Sequence, residues 1–146
     1  MDPTGSRLAL RELVLDASVV LKWLRTKGEG DVEHALNLHA EYERGDLVVT
    51  VPPIHELELL NVAARSWHFE AWRLIELAGV IEGFGFSVRR PSLARVAEWA
   101  AKGLSSYDAS YVALAEERGT TVVTADRRLA AVAGSFASTL EGSATT

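Results

Sequence analysis

Four carboxylates in this 146-residue chain occupy positions where chemistry could be done. Asp16 is a lone acid inside LVLDASVVLKWL, an otherwise apolar run from Leu13 to Leu24 that a lysine interrupts once. Asp126 closes TTVVTAD, Glu58 lies in PPIHELELLN, and Asp108 lies in SSYDASY. Carboxylates packed together repel one another and raise each other's pKa, which weakens a fold unless a cation neutralises them. An all-oxygen donor set suits hard ions such as Mg2+ or Mn2+. Mg2+ usually keeps several waters and takes few carboxylates, leaving room for a phosphate. The chemistry implied is metal-assisted hydrolysis of a phosphodiester or phosphomonoester.

Each acid also has a plain structural reading. Asp16 and Asp126 can each cap a helix, an effect typically worth ~1 kcal/mol. Asp108 can serve the dipole at a helix N-terminus. Glu58 can lie on a solvated face, as its neighbour Glu56 can. No pair among the four has a diagnostic spacing, so the elements that position them carry the argument.

ELVLD (Glu12 to Asp16) reads as a strand and ASVVLKWLR as the helix after it, with Asp16 or Ser18 near its start. Val32, Ala35, Leu36, His39 and Ala40 recur at helical spacing, and Gly45 ends that helix. LVVTVP (Leu47 to Pro52) is a second strand. Helices are predicted over Ile54–Ser66 and Phe69–Ile81, and a short strand over Phe84–Arg89. Ser92 caps a helix in LARVAEWAAKG. Ser105 or Ser106 caps YDASYVALAEERG, which Gly119 stops. TTVVTAD is a further strand, DRRLAAVAG a short helix, and SFASTL an edge strand. Strands alternating with helices imply an α/β domain, a mostly parallel sheet covered on both faces. Such sheets hold their ligands at the carboxyl ends of the strands. Asp16 and Asp126 both arrive at that edge, and helix starts bring Glu58 and Asp108 towards it.

The bulk composition narrows the class. The chain is 48% hydrophobic and 24% charged, which fits one globular domain over residues 1–146. Residues 1–11 and 141–146 read as loose termini. The absence of cysteine excludes disulfides, thiolate nucleophiles and Cys-based zinc sites. No charged-then-apolar leader is visible and no apolar run approaches the ~20 residues of a membrane span, so the expectation is a cytoplasmic protein with no membrane contact. A net charge of −5 argues against wholesale electrostatic binding of nucleic acid and leaves any such binding to local basic groups. Arg89, Arg90, Arg95, Lys102, Arg127 and Arg128 are the best placed, the last two directly after Asp126. The histidines (His34, His39, His55, His68) show no zinc-like spacing. Trp23, Trp67, Trp72 and Trp99 fall in helical apolar patterns and read as core or interface. The large apolar groups between Trp67 and Ile81 mark a candidate partner face.

These blocks together resemble the PIN-domain nucleases, and most closely the VapC-type toxins of bacterial toxin–antitoxin pairs. VLDASVVLKWL is similar to the family's opening strand, with Asp16 as its first acid. VPPIHELELLNVA resembles its second block, a proline-led helix whose E-x-x-N element registers Glu58 and Asn61. LSSYDASYVALAEERGTTVVTADRRL is the strongest match and supplies Asp108 and Asp126. The resemblance spans roughly Leu13 to Phe136. It implies a three-layer α/β/α sandwich and a Mg2+- or Mn2+-dependent endoribonuclease in which activated water attacks an RNA phosphodiester. By the same resemblance Asp16, Glu58, Asp108 and Asp126 hold the metal, and Ser18, Asn61 and Thr124 orient those ligands. Arg127 and Arg128 would contact RNA phosphate. The implied partners are an RNA substrate (tRNA, rRNA or mRNA), a cognate antitoxin and a second copy of the chain. The dozen residues before the first strand depart from the family, whose toxins often begin almost at once. Two alternatives stand beside this reading. One is a non-catalytic PIN-like module that binds RNA or protein. The other is a different Mg-dependent phosphoryl hydrolase, although an aspartyl phosphatase would favour D-x-D where this chain has D-A-S.

Overall fold

The computed structural model describes residues 10–28 and 30–143. The expected loose start thus lies outside the described residues up to residue 9. Arg11 already belongs to the first strand.

The apolar run that opens the domain divides at Asp16. Leu13 and Leu15 alternate with Val14, so β1 (Arg11–Leu15) buries side chains on both faces, as an inner parallel strand must. The chain then turns into α1 (Ala17–Leu24), and α2 (Val32–Glu43) leads back to β2 (Leu47–Val51). Pro52 and Pro53 stop that strand, and α3 (Ile54–Arg65) follows. His68 adopts a left-handed φ of 56° and Glu70 is extended. For this reason α4 starts at Ala71 and runs to Gly83, two residues later than the sequence pattern predicts at each end. Gly85, with φ +68°, turns the chain just before β3 (Ser87–Val88), which is shorter than the expected Phe84–Arg89.

In the second half, Ser92 caps α5 (Leu93–Ala100) through the Arg95 amide. Ser105, not Ser106, caps α6 (Ser106–Arg118), and Gly119 at φ 67° ends it. Then come β4 (Val122–Thr124), α7 (Arg127–Ala133), a 3-10 turn and β5 (Ala137–Thr139). A short α8 (Leu140–Ser143) occupies part of the stretch expected to be loose, anchored by the buried Leu140.

The sheet has five strands in the order β3-β2-β1-β4-β5, and every pairing is parallel. One core joins Leu13, Leu15, Val49, Val51 and Val123 to helices α1 to α4. The other joins Val14 and Val122 to α5, α6 and α7. The fold is therefore a three-layer α/β/α sandwich. From β1 the chain builds outward through β2 and β3, then returns to the other side of β1 for β4 and β5. The strand order thus reverses between β1 and β4, which is where open α/β sheets form a crevice at their carboxyl edge.

Candidate active site

The acids that leave β1 and β4 flank this crevice. Asp16 follows β1, and its backbone N–H still donates to Val123 O on β4 at 3.0 Å. Its position is that of the N-cap of α1, yet its carboxylate makes no capping bond. Instead Oδ2 accepts from Ser18 Oγ at 2.8 Å and from Thr124 Oγ1 at 2.7 Å. Asp16 is buried at 7% exposure, and Thr124 is fully buried. Thr124 Oγ1 also accepts from the Asp126 amide at 2.9 Å, while Ser18 Oγ accepts from the Ala125 amide at 3.0 Å. The two hydroxyls therefore hold the Asp16 carboxylate against the turn that carries Asp126.

Asp126 is exposed and does cap its helix: Oδ1 accepts from the Arg128 and Leu129 amides at 2.9 and 3.2 Å. Asp108 lies in the first turn of α6, half-buried, with its amide held by Ser105 Oγ at 3.1 Å. Glu58 lies in α3, half-buried, and its Oε1 accepts from the Tyr111 hydroxyl at 2.5 Å.

The charges of these side chains act on one another. Burial pushes Asp16 above the ordinary carboxylate range, and the Asp126 charge adds to this against the hydroxyl bonds. Burial likewise raises Glu58, helped by the charges of Asp16 and Asp108. Asp108 is raised by burial and then by Asp16 and Asp126, while Arg128 pulls the other way. Asp16 thus feels or acts on each of the other three. Among the described residues, however, no three carboxylates or imidazoles converge tightly enough to enclose a metal ion.

The fold belongs to a recognisable lineage. A family model of the PIN domain matches residues 13–135. The chain belongs to the PIN domain family. PIN domains are generally nucleases and typically use divalent metals. Among solved structures, the crystal structure of PAE2754 from Pyrobaculum aerophilum is similar, with 25% sequence identity and a TM-score of 0.63 over 90% of this chain and 91% of that one. No curated protein sequence matches the chain.

In this PIN domain the donor set is carboxylate and hydroxyl oxygen, which fits a hard cation. An ion such as Mg2+ keeps much of its water and takes few carboxylates directly, so it needs no closed cage of all four acids. Of the histidines, His55 lies 3.1 Å from the Tyr111 hydroxyl that bonds Glu58, while His39 stacks on Trp23 and His34 lies beside Asp31. Beside Glu58 a cavity of about 610 Å³ opens, lined by Ile54, Leu57, Leu60, Asn61 and Tyr107. Asn61 is exposed there and makes no hydrogen bond to any of the four acids, unlike Ser18 and Thr124.

The basic residues separate into two groups. Arg95 pairs with Glu116 and Glu117 at 3.2 and 3.4 Å, and Lys102 lies over the Trp99 ring at 4.9 Å. Glu116 is eight residues beyond Asp108 on α6, ~12 Å along the helix, so both basics are committed away from the acids. Arg127 and Arg128 are exposed next to Asp126, and Arg128 also donates to Gly103 O at 2.7 Å. Of the tryptophans, Trp99 is buried and Trp23 packs among His39, Tyr42, Phe84 and Phe86. Trp72 is exposed on α4 together with Ile75 and Val80. No helix among the described residues is long and apolar enough to cross a membrane.

Tyr111 and His55 escaped the sequence reading as members of this site. The signal was present: Tyr111 is three residues after Asp108 and His55 three before Glu58. Each pair therefore shares a helix face.

Proposed function

We propose that this chain is a Mg2+- or Mn2+-dependent endoribonuclease and the VapC-type toxin of a toxin–antitoxin pair. The observation that carries the reading is the burial of Asp16 at a sheet's carboxyl edge, in electrostatic contact with three further acids. A domain gains no stability from like charges so arranged, whereas a divalent cation turns their repulsion into attraction. The bound ion would neutralise charge on the scissile phosphate and make water a competent nucleophile near neutral pH.

The roles of the protein groups follow from their surroundings. Asp16, held by Ser18 and Thr124, is the anchor for the cation, with Glu58, Asp108 and Asp126 acting directly or through retained water. Arg127 and Arg128 lie beside Asp126 and supply positive charge for an RNA phosphate, which the chain's net charge of −5 would otherwise repel. The exposed Trp72, Ile75 and Val80 on α4 are the face for a second copy or the antitoxin. The absence of cysteine accords with action in the cytosol.

The test is cleavage of a mixed tRNA and rRNA panel with Mn2+, with Mg2+ and with chelator, beside Asp108→Asn protein purified identically. Discrete metal-dependent products that disappear with Asp108→Asn are expected. Identical digestion by both proteins would defeat the assignment.

A further inference from the structure

Glu58 is the end of a buried chain of hydrogen bonds. Tyr111 from α6 donates to Glu58 Oε1 at 2.5 Å, and His55 Nδ1 lies 3.1 Å from the same hydroxyl. Tyr111 and His55 are both at 0% exposure. A phenol carries one proton, so a hydroxyl that donates to Glu58 can only accept from His55. His55 must then hold its proton on Nδ1. That leaves Nε2 as a bare lone pair, and Nε2 is a buried atom with no hydrogen-bond partner. Burial also holds the ring neutral, lowering its pKa to about 4. Phe86 stands edge-on to the ring with centroids 5.8 Å apart, which fixes its plane.

This arrangement is poor design for packing alone. A buried acceptor without a partner is unfavourable, and an apolar ring at residue 55 would remove it. What the imidazole supplies is a single donor aimed at Tyr111. Tyr111 in turn aims its single hydroxyl proton at Glu58 Oε1. Glu58 Oε1 is thereby committed to the protein, while Oε2 has no protein hydrogen bond among the described residues.

We infer that His55 and Tyr111 are positioning residues, a one-way relay from His55 Nδ1–H through the Tyr111 hydroxyl that locks Glu58 and leaves its second oxygen for the cation. The relay ties α3 to α6, so it also sets the spacing between Glu58 and Asp108. Its purpose rests on the metal-dependent reading above; its direction does not.

Two measurements test it. Long-range proton–nitrogen NMR on the metal-free protein should show His55 as the Nδ1–H tautomer, with its Nδ1–H signal moving in Tyr111→Phe. An Nε2–H tautomer would overturn the relay, since Tyr111 would then donate to His55. Mn2+ titration followed by electron paramagnetic resonance should show affinity falling about 10- to 100-fold in Tyr111→Phe and in His55→Leu. His55→Asn places an amide donor near the original Nδ1 and should recover most of the loss, which a merely structural role would not produce. Wild-type affinity in folded Tyr111→Phe would overturn the proposal. Wild-type protein that binds no Mn2+ would defeat the metal reading instead, and the tautomer alone would then decide the relay.

Discussion

The two ends of β1 carry acids in opposite circumstances. At the amino end, Glu12 accepts from Arg118 Nε at 2.9 Å and from the buried Thr50 hydroxyl at 2.6 Å. Next to it Arg11 grips Glu41 with two bonds of 2.8 Å. At the carboxyl end, Asp16 also accepts from a buried threonine, Thr124, but faces three more acids. Burial pushes Glu12 up, yet its bonds to Arg118 and Thr50 and the nearby arginines outweigh that and hold it below its ordinary value. Burial pushes Asp16 up and nothing cationic reverses it. The same strand thus ends in a neutralised pair that serves the fold and in an unneutralised cluster that weakens it. The second kind of acid marks a candidate site, because its repulsion is relieved by something brought from outside.

The largest expected effect comes from breaking the carboxyl end at its anchor. Asp16→Asn should lower metal-dependent cleavage by on the order of 100-fold or more, beyond the loss typical of residues that merely orient ligands. It should also raise the melting temperature of the metal-free protein, since it removes a buried charge that is poorly compensated. The pH dependence separates the two ends. Asp16 is held above its ordinary 3.8, so the native state keeps its proton longer and stability falls as pH rises past that value. Glu12 is held below its ordinary 4.5, so its contribution is present above that value and is lost as pH falls through its folded pKa. Stabilisation by Asp16→Asn should therefore grow with pH above about 4, whereas Glu12→Gln should cost about 1 kcal/mol at neutral pH, lose that cost in acid and leave cleavage intact. His55, lowered from 6.5 to about 4, destabilises the native state as pH falls across that interval, but it does so in every variant and cancels from the difference. Urea denaturation of both variants and wild type across pH reads all of this. Slopes of the same sign for the two substitutions would show that the ends do not differ.

A narrower comparison sets the two threonines against each other. Thr50→Val and Thr124→Val each remove a bond to a carboxylate and should each cost about 1–3 kcal/mol. Only Thr124→Val should also reduce cleavage and Mn2+ affinity, by about 10- to 100-fold. Equal activity in the two variants would mean that the hydroxyl bond does not orient Asp16.

The smallest effect in stability separates cap from charge at Asp126. Asp126→Ala loses both and should cost about 1 kcal/mol, while Asp126→Asn keeps the cap and should stay near wild-type stability. Both should lose cleavage. An active Asp126→Asn protein would reduce Asp126 to a helix cap.

Much of this was legible without coordinates, and the limits fall in definite places. Strand ends, proline stops, the Ser105 cap and the Gly119 terminus are decided within a few residues, where propensity and capping act. Alternating burial in Leu13, Val14 and Leu15 follows from the period of a strand. The local rule misled at residues 68–70, where a left-handed histidine delayed α4, and it ranked Arg95 and Lys102 among the best-placed basic residues, although Arg95 pairs with Glu116 and Glu117 and Lys102 lies over Trp99. It also gave Asn61 a supporting role; Asn61 lines the same cavity as Glu58 without a hydrogen bond to it.

The amino-acid order by itself determined that four acids would reach one edge of one sheet, because it fixes which strand or helix start each one terminates or begins. It could not say that Asp16 forgoes its cap while Asp126 keeps one, since both follow a strand and precede a helix. That choice belongs to the Thr124 hydroxyl, 108 residues from Asp16, and so to the parallel register of β1 against β4. The pairing of Glu12 with Arg118 and the run from His55 through Tyr111 to Glu58 have the same origin. Hydrogen bonds act over about 3 Å, and only the packed sheet and helices bring such distant residues within that reach.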